Sequence, residues 1–364
     1  MQILHQKIKL NRPTVAEINL KALDFNIKKL KEIAKSSKFF PVIKANAYGH
    51  GIKEISKRLE NKVNGFCVAT SEEAINLRST TKKSILDLEG PYDSSDLIEL
   101  IKNKIEFVIH SERQLDFLFK LKKFPSAQTI WIKFDIGMNR LGFSSDEIIQ
   151  VAEEISKKTN NLVLMSHFSH YQGSSNQLVN FKKVEKKLTS LKINFKSSLC
   201  NSGGMINLPD SQKNIVRPGL CIFGIKSNLK KYNDDLKPVM TLKSKFISIK
   251  DISKGEKVGY EGIWTAPKKS KIGILPIGFG DGYPTNLSNQ GKVKIKNKLA
   301  PIIGKISMDM MAIDLSSFRD ISYKDEVIIW GESHGVDKVA KYADNTEYSL
   351  LTGLSNRVKK IYKL

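Results

Sequence analysis

Phe39-Phe40-Pro41-Val42-Ile43 runs straight into Lys44-Ala45-Asn46-Ala47-Tyr48-Gly49-His50-Gly51, and the helix-period stretch Ile52–Leu59 follows. A short apolar run, closed by small residues and a turn and then by a helical pattern, is one strand-and-helix unit. Working outward, the same alternation returns. Strands are predicted at Phe66–Ala69, Ile85–Leu88, Ile105–Ile109, Ile130–Phe134, Leu162–Ser166, Phe195–Cys200 and Ile215–Val216. Helices are predicted between them at Glu72–Arg78, Ser95–Ile101, Glu112–Leu121, Asp146–Lys157 and Gln177–Leu191. Another, Ala22–Ala34, leads the first strand with Leu23, Ile27, Leu30 and Ile33 on one face. Ser71, Ser111 and Ser145 stand where helix N-caps are expected. Strand alternating with helix eight times over predicts an α/β fold, a (β/α)8 TIM-type barrel. A doubly wound sheet is the alternative, and the count of eight favours the barrel.

After about Tyr232 the texture changes. Leu242–Ile249 and Lys292–Ile295 alternate apolar and polar residues at period two, Asp325–Trp330 adds a short apolar run, and glycine and proline punctuate the segment closely. These features predict a mostly antiparallel β domain. The expected division is residues 12–235 for the barrel and 236–364 for the β domain, with residues 1–11 packing against the latter.

The 60 Lys+Arg against 37 Asp+Glu give a formal charge of +23, which raises nucleic acid or an anionic membrane as partners. The lysines are scattered in pairs such as Lys28-Lys29 and Lys359-Lys360, with no basic block and no arginine stripe interleaved with aromatics. They read as solvated faces, so neither partner is expected. Cys67, Cys200 and Cys221 are widely spaced and odd in number, which suits a reducing compartment. No secretory leader and no run of roughly 18 apolar residues is present, so a cytoplasmic protein is expected.

Active sites of such barrels collect at the carboxyl ends of the strands. Lys44 is delivered there, where partial desolvation would let it act as a Schiff-base amine. Spacing alone leaves open that it is one more exposed lysine in a lysine-rich chain. Leu88, Arg140, His167, Asn201, Ser202 and Arg217 also fall at or just after predicted strand ends, so six strands converge on one mouth with Lys44. Read without other context, His167 is a core histidine; His167 and His170 lack the acidic or cysteine partners of a metal site, and no metal is expected. The glycine-rich Gly278–Tyr283 is not followed by a helical pattern, which argues against a dinucleotide site.

Val42-Ile43-Lys44-Ala45-Asn46-Ala47-Tyr48-Gly49-His50-Gly51 resembles the pyridoxal-phosphate attachment signature of the alanine racemases. Further motifs follow in that family's order: Asp135–Gly142, Ser166-His167-Phe168, Asn201-Ser202-Gly203-Gly204 and Val216-Arg217-Pro218-Gly219-Leu220. Val258–Gly262, Pro276–Pro284 and Gly304–Asp309 complete the set over almost the whole chain. The resemblance implies a racemase of small amino acids, alanine first, supplying D-alanine for peptidoglycan with pyridoxal 5′-phosphate as cofactor. It implies that Lys44 carries the cofactor and serves as the base on the D-face, and that Tyr260 serves the opposite face. Two bases are needed because one that returns its proton to the same face changes nothing.

The same resemblance implies that Arg217 faces the pyridine nitrogen and that His167 packs beside the ring. Tyr48, Asn201, Ser202, Gly219 and Leu220 hold the phosphate, and Leu88 lines the cofactor site. Arg140 contacts cofactor and substrate carboxylate, as Met308 does through its backbone, and Lys133 matches a position carbamylated in some members. Tyr260 and Met308 come from the second subunit in this family, which implies a homodimer with shared sites. Four positions depart from the family pattern: Phe279, Lys305 and Gln172 along the substrate entrance, and Asn356 where a tyrosine reaches the phosphate. A racemase of serine, lysine or a broad range of amino acids is the alternative within this chemistry. A cofactor-homeostasis protein shares the barrel and the lysine but lacks the β domain with Tyr260 and Met308.

Overall fold

The computed structural model describes residues 11–170, 173–225, 229 and 236–364. The chain divides into two compact units. Leu20–Lys237 forms one, and the described residues up to Asn19 with Pro238–Leu364 form the other.

In chain order the first elements are β1 (Val15–Asn19), α1 (Leu20–Ala34), β2 (Lys38–Phe39), the five-residue turn α2 (Lys44–Tyr48) and α3 (Ile52–Leu59). The alternation continues with β3 (Gly65–Val68), α4 (Ser71–Arg78), β4 (Ser84–Asp87), α5 (Ser94–Lys102), β5 (Glu106–Ile109) and α6 (Glu112–Lys120). Then come β6 (Thr129–Lys133), α7 (Glu147–Ser156), β7 (Asn161–Met165), α8 (Ser175–Ser190), β8 (Phe195–Ser198), α9 (Ser202–Asn207) and β9 (Ile215–Val216). Strands β3 to β8 pair in parallel and in sequence order. β2 pairs in parallel with β9, and a parallel bridge from Val42 to Cys67 joins that pair to β3. At the other side Arg217 N–H donates to the carbonyl of Cys200 just past β8. Eight parallel strands therefore follow one another around a barrel, as expected from the sequence.

The strands form because both of their faces are covered. Every residue of β3 is buried, and Ile130–Lys133 of β6 likewise, the pattern of a sheet wrapped by helices. α1 buries Leu23, Ile27 and Leu30 at helical spacing, each contributing roughly 1.5–3 kcal/mol of apolar burial. Gly65 is needed for close packing: a Cβ there would lie 2.4 Å from the Phe40 ring. The predicted caps are shifted by one residue in two places. Thr70, not Ser71, accepts the Glu73 N–H at the start of α4, and the Ser71 hydroxyl donates instead to Asp87. Ser144, not Ser145, accepts the Glu147 N–H ahead of α7.

The second unit contains β10 (Met240–Lys245), β11 (Ser248–Ile252), β12 (Lys257–Val258), β13 (Trp264–Thr265), β14 (Ser270–Leu275) and β15 (Lys292–Ile295). β16 (Lys298–Ile303), β17 (Met311–Asp314), β18 (Glu326–Trp330) and β19 (Lys359–Lys363) complete it. Nine strands form one sheet in the order β11-β14-β17-β16-β15-β18-β10-β1-β19, antiparallel except for the β1–β19 pair. Residues 12–19 were expected in the barrel; they fall instead in the sheet unit, where Val15–Asn19 (β1) sits between β10 and β19. Val15–Asn19 runs directly into α1, so it reads as a strand-and-helix unit; its alternating half-burial is that of a strand with one covered face. The stretch Leu242–Ile249 is also two strands, because Phe246 and Ile247 separate β10 from β11, which pairs with β14. The expectation for residues 1–11 falls almost wholly outside the described residues. The first described side chain that anchors here is Arg12, whose guanidinium donates to both oxygens of the fully buried Asp281 at 2.7 Å.

Candidate active site

Lys44 begins α2, directly after the strand segment that bridges to β3. The turn it opens is left-handed: Ala45, Asn46, Ala47 and Tyr48 all have φ between 48° and 55°. For L-residues each such position costs roughly 1–2 kcal/mol, so the turn must be held by its surroundings. Backbone bonds supply part of the hold, with Ala47 N–H on the Ile43 carbonyl, Gly49 N–H on Ala45 and Gly51 N–H on Asn46. The Asn46 side chain accepts from Ile52 N–H at 2.8 Å. His50 Nδ1 lies 3.0 and 2.9 Å from the carbonyls of Ala47 and Tyr48, and its ring stacks on Phe223.

Arg217 follows β9 and is 3% exposed. Its Nε donates to Ser198 Oγ at 2.9 Å, and Nη2 donates to the carbonyls of Ser166 and Leu199. Neutral acceptors orient this guanidinium, and among the described residues no carboxylate is hydrogen-bonded to it. Gly219 N–H donates to Ser202 Oγ at 2.9 Å, and Asn201 Oδ1 accepts from Gly204 N–H at the start of α9. A Cβ on Gly219 would stand 3.0 Å from the Tyr48 hydroxyl, so the backbone comes close to that phenol. The loop after β6 is built by Asp135, whose Oδ1 accepts N–H groups of Gly137, Met138 and Asn139 and so presents the exposed Arg140. Leu88, half-buried, follows β4, and the buried Leu220 follows Gly219.

Lys133 ends β6 at 6% exposure. Burial first, then the positive charges of Arg217, Arg140 and Lys44, push its amine down to about 8, with Asp135 opposing them. His167 is held well below its usual value by burial and by Arg217, Lys133, Arg140 and Lys44. The mouth thus gathers four cationic side chains in a partly dry setting, with Asp135 already taken up by backbone donors. That imbalance suits an anionic group, and a phosphorylated aromatic aldehyde fits it: Lys44 supplies the amine, Arg217 an aimed cation, and Tyr48 and Ser202 hydroxyls beside Gly219.

The Lys133 displacement has a measurable consequence. The unfolded lysine titrates near its ordinary 10.5, so between about 8 and 10.5 the unfolded chain binds more protons than the folded one. Stability of the cofactor-free protein should therefore rise with pH across that window, the full penalty being present below it. Lys133→Met should raise the unfolding free energy at pH 7 by roughly 2–3 kcal/mol and abolish the rise. Urea unfolding at pH 7 and pH 10 measures both, and an unchanged slope in the variant would assign the effect to another group.

The other predicted residues lie in the sheet unit. Tyr260 is 69% exposed and Met308 53%. Phe279 N–H donates to the Ser307 carbonyl at 3.0 Å and Gly280 N–H to Met308 at 2.9 Å, which fastens the two motifs together. Gly259, next to Tyr260, abuts Lys305, whose amine pairs with Glu261. Tyr260, Phe279, Lys305 and Met308 thus share one exposed rim of this unit. Asn356 is exposed beside Arg357, which pairs with Asp309 and the buried Asp281. Gln172 lies outside the described residues. Glu73, absent from the sequence-based set, touches the Lys44 turn directly, its Oε1 accepting from Ala45 N–H at 2.7 Å. Its only sequence signal was the capping-box spacing Thr70-x-x-Glu73.

A parallel barrel with a lysine at its mouth, carried in one chain with an antiparallel sheet unit, is the architecture of the fold-type III class of pyridoxal-phosphate enzymes. The family model of the alanine racemase N-terminal domain matches residues 18–227, and that of the C-terminal domain matches residues 239–362. The chain is 38% identical over 362 residues to the alanine racemase of Haemophilus influenzae, covering 95% of this chain and 98% of that one. It is similar to the structure of alanine racemase from Acinetobacter baumannii, with a TM-score of 0.89, 33% identity and coverage of 97% and 100%. The alanine racemase from Bartonella henselae with covalently bound pyridoxal phosphate matches with a TM-score of 0.87, 27% identity and coverage of 96% and 99%. The chain belongs to the alanine racemase family.

Proposed function

We propose that this protein interconverts L- and D-alanine with pyridoxal 5′-phosphate, and that it provides D-alanine for the cell wall from the cytoplasm. The observation that carries the proposal is the Lys44 amine at a barrel mouth lined by Lys133, Arg140 and the buried, carbonyl-oriented Arg217. Once bound, the cofactor withdraws electrons from the substrate α-carbon and makes its proton removable. Lys44 takes or returns that proton on one face, and the Tyr260 phenol does so on the other. Arg217 would face the cofactor's ring nitrogen and, even with burial lowering its basicity, would remain the more basic group and leave that nitrogen uncharged. The cofactor would then supply a weaker electron sink, which disfavours side reactions. Tyr48, Ser202, Asn201, Gly219 and Leu220 bind the phosphate, while His167 and Leu88 pack beside the ring.

Arg140 and the Met308 backbone receive the substrate carboxylate. A Lys133 amine poised near 8 is basic and unprotonated often enough to react with carbon dioxide, releasing a proton and leaving a carbamate whose negative charge would offset one cation of the mouth and steady Arg140. The exposed Tyr260, Phe279 and Met308 on one rim favour a second copy of the chain as their cover, so that each site draws Tyr260 and Met308 from its partner. The test is a chiral assay of purified protein with and without added cofactor across a panel of amino acids. Cofactor-dependent conversion of alanine, faster than that of serine or lysine, is expected. Faster turnover of another amino acid would overturn the substrate assignment.

A further inference from the structure

We infer that Glu73 is a positioning residue for Lys44: its carboxylate pins the strained left-handed turn to the end of β3 and so sets the direction in which the lysine leaves the backbone. The inference rests on the reading that Lys44 is the attachment amine. One oxygen of Glu73 accepts from Ala45 N–H at 2.7 Å and the other from Ala69 N–H at 2.9 Å. Ala45 is the residue after Lys44, and Ala69 follows β3, the neighbouring strand. The peptide that joins Lys44 to Ala45 is therefore fixed in orientation by a charged acceptor, the stronger kind of hydrogen bond.

The geometry differs from ordinary helix capping. Thr70-x-x-Glu73 has the spacing of a capping box, and its first half is present, with Thr70 Oγ1 accepting from Glu73 N–H at 3.2 Å. In a capping box the glutamate reaches back to the N–H of the capping residue itself. Here it reaches one residue further, to Ala69, and across to Ala45. The carboxylate is spent on the lysine turn and the helix is left to Thr70.

The need for such a pin follows from the backbone. Four consecutive non-glycine residues hold positive φ, a state the chain leaves unless its donors and acceptors are engaged. Asn46 and His50 secure the far end of the turn at Ile52, Ala47 and Tyr48. Glu73 secures the near end, where displacement acts directly on Lys44. A catalytic group moved by about 1 Å loses about 10²-fold in rate, so a fault in the pin should appear in turnover more than in substrate binding.

The experiment compares Glu73→Gln with Thr70→Ala, which removes the helix cap and leaves the carboxylate. Residue-resolved amide exchange is measured on the cofactor-free full-length protein, and kcat and KM on the holoenzyme. In Glu73→Gln, exchange of Ala45 and Ala69 should quicken about tenfold or more, and kcat should fall about 10- to 100-fold with KM within about threefold. Thr70→Ala should lower the melting temperature while leaving Ala45 protected and kcat near wild type. Glu73→Asp, one carbon shorter and able to reach one donor at a time, should fall between them and serves if the glutamine variant does not fold. Unchanged Ala45 exchange in Glu73→Gln, or the same kcat loss in Thr70→Ala, would overturn the inference. Failure of the underlying reading is separately visible, since it alone predicts that Lys44→Ala is inactive.

Discussion

Lys44→Ala is expected to lower alanine racemisation by on the order of 10⁴-fold or more in both directions and to leave protein that, unlike the wild type, retains no cofactor through denaturing gel filtration after borohydride reduction. The size follows from the roles proposed for Lys44, as the amine that anchors the cofactor and as one of two proton carriers; general acid–base groups alone are worth about 10²–10⁴-fold. The fold should survive, because Lys44 is only half-buried and the turn it opens is held by groups on Glu73, Asn46 and His50. Circular dichroism and the visible absorbance of reconstituted protein separate the two effects. A folded variant that still carries cofactor after borohydride reduction and denaturation would place the covalent link on another lysine.

Tyr260→Phe is expected to cut racemisation about 10²–10⁴-fold in both directions, since in the proposed two-base scheme every turnover uses a carrier on each face. It should leave cofactor attachment intact. Exchange of the α-hydrogen of D-alanine with solvent deuterium should continue, because the Lys44 side of the site is untouched. The phenol is exposed and removing its hydroxyl disturbs no described packing, so a loss of activity can be read as chemistry and not as unfolding. Full racemisation by the variant would leave the second face without an assigned base.

The barrel was legible because its signal is redundant. Short apolar runs buried on both faces and helices such as Ile52–Leu59 recur eight times, and each repeat reports the same architecture. The placement of Leu88, Lys133 and Arg217 at strand ends was legible for the same reason, since the mouth is defined by where apolar runs stop. Locally ambiguous segments were not. Val15–Asn19 satisfies both a barrel strand and a sheet strand, and only its partners β10 and β19, far away in sequence, decide between them. Ser71 and Thr70 are both good caps, and burial of Asp87 draws the serine hydroxyl away. The left-handed turn leaves no glycine signature at Ala45, Asn46, Ala47 or Tyr48, because it is imposed from outside by groups such as Glu73. A capping-box pattern announces where a glutamate belongs in a helix; which donors it reaches depends on the neighbouring strand.

The proposed division of labour between two chains can be tested without any new structure. Lys44→Ala and Tyr260→Phe, each nearly inactive, are unfolded together, refolded as a mixture with cofactor and assayed. If each site takes its lysine from one chain and its tyrosine from the other, half the dimers are mixed, and each mixed dimer regains one intact site. Activity should then recover to about a quarter of the wild-type value. Recovery no greater than the sum of the two separate variants would mean that lysine and tyrosine act within one chain, and would contradict the account.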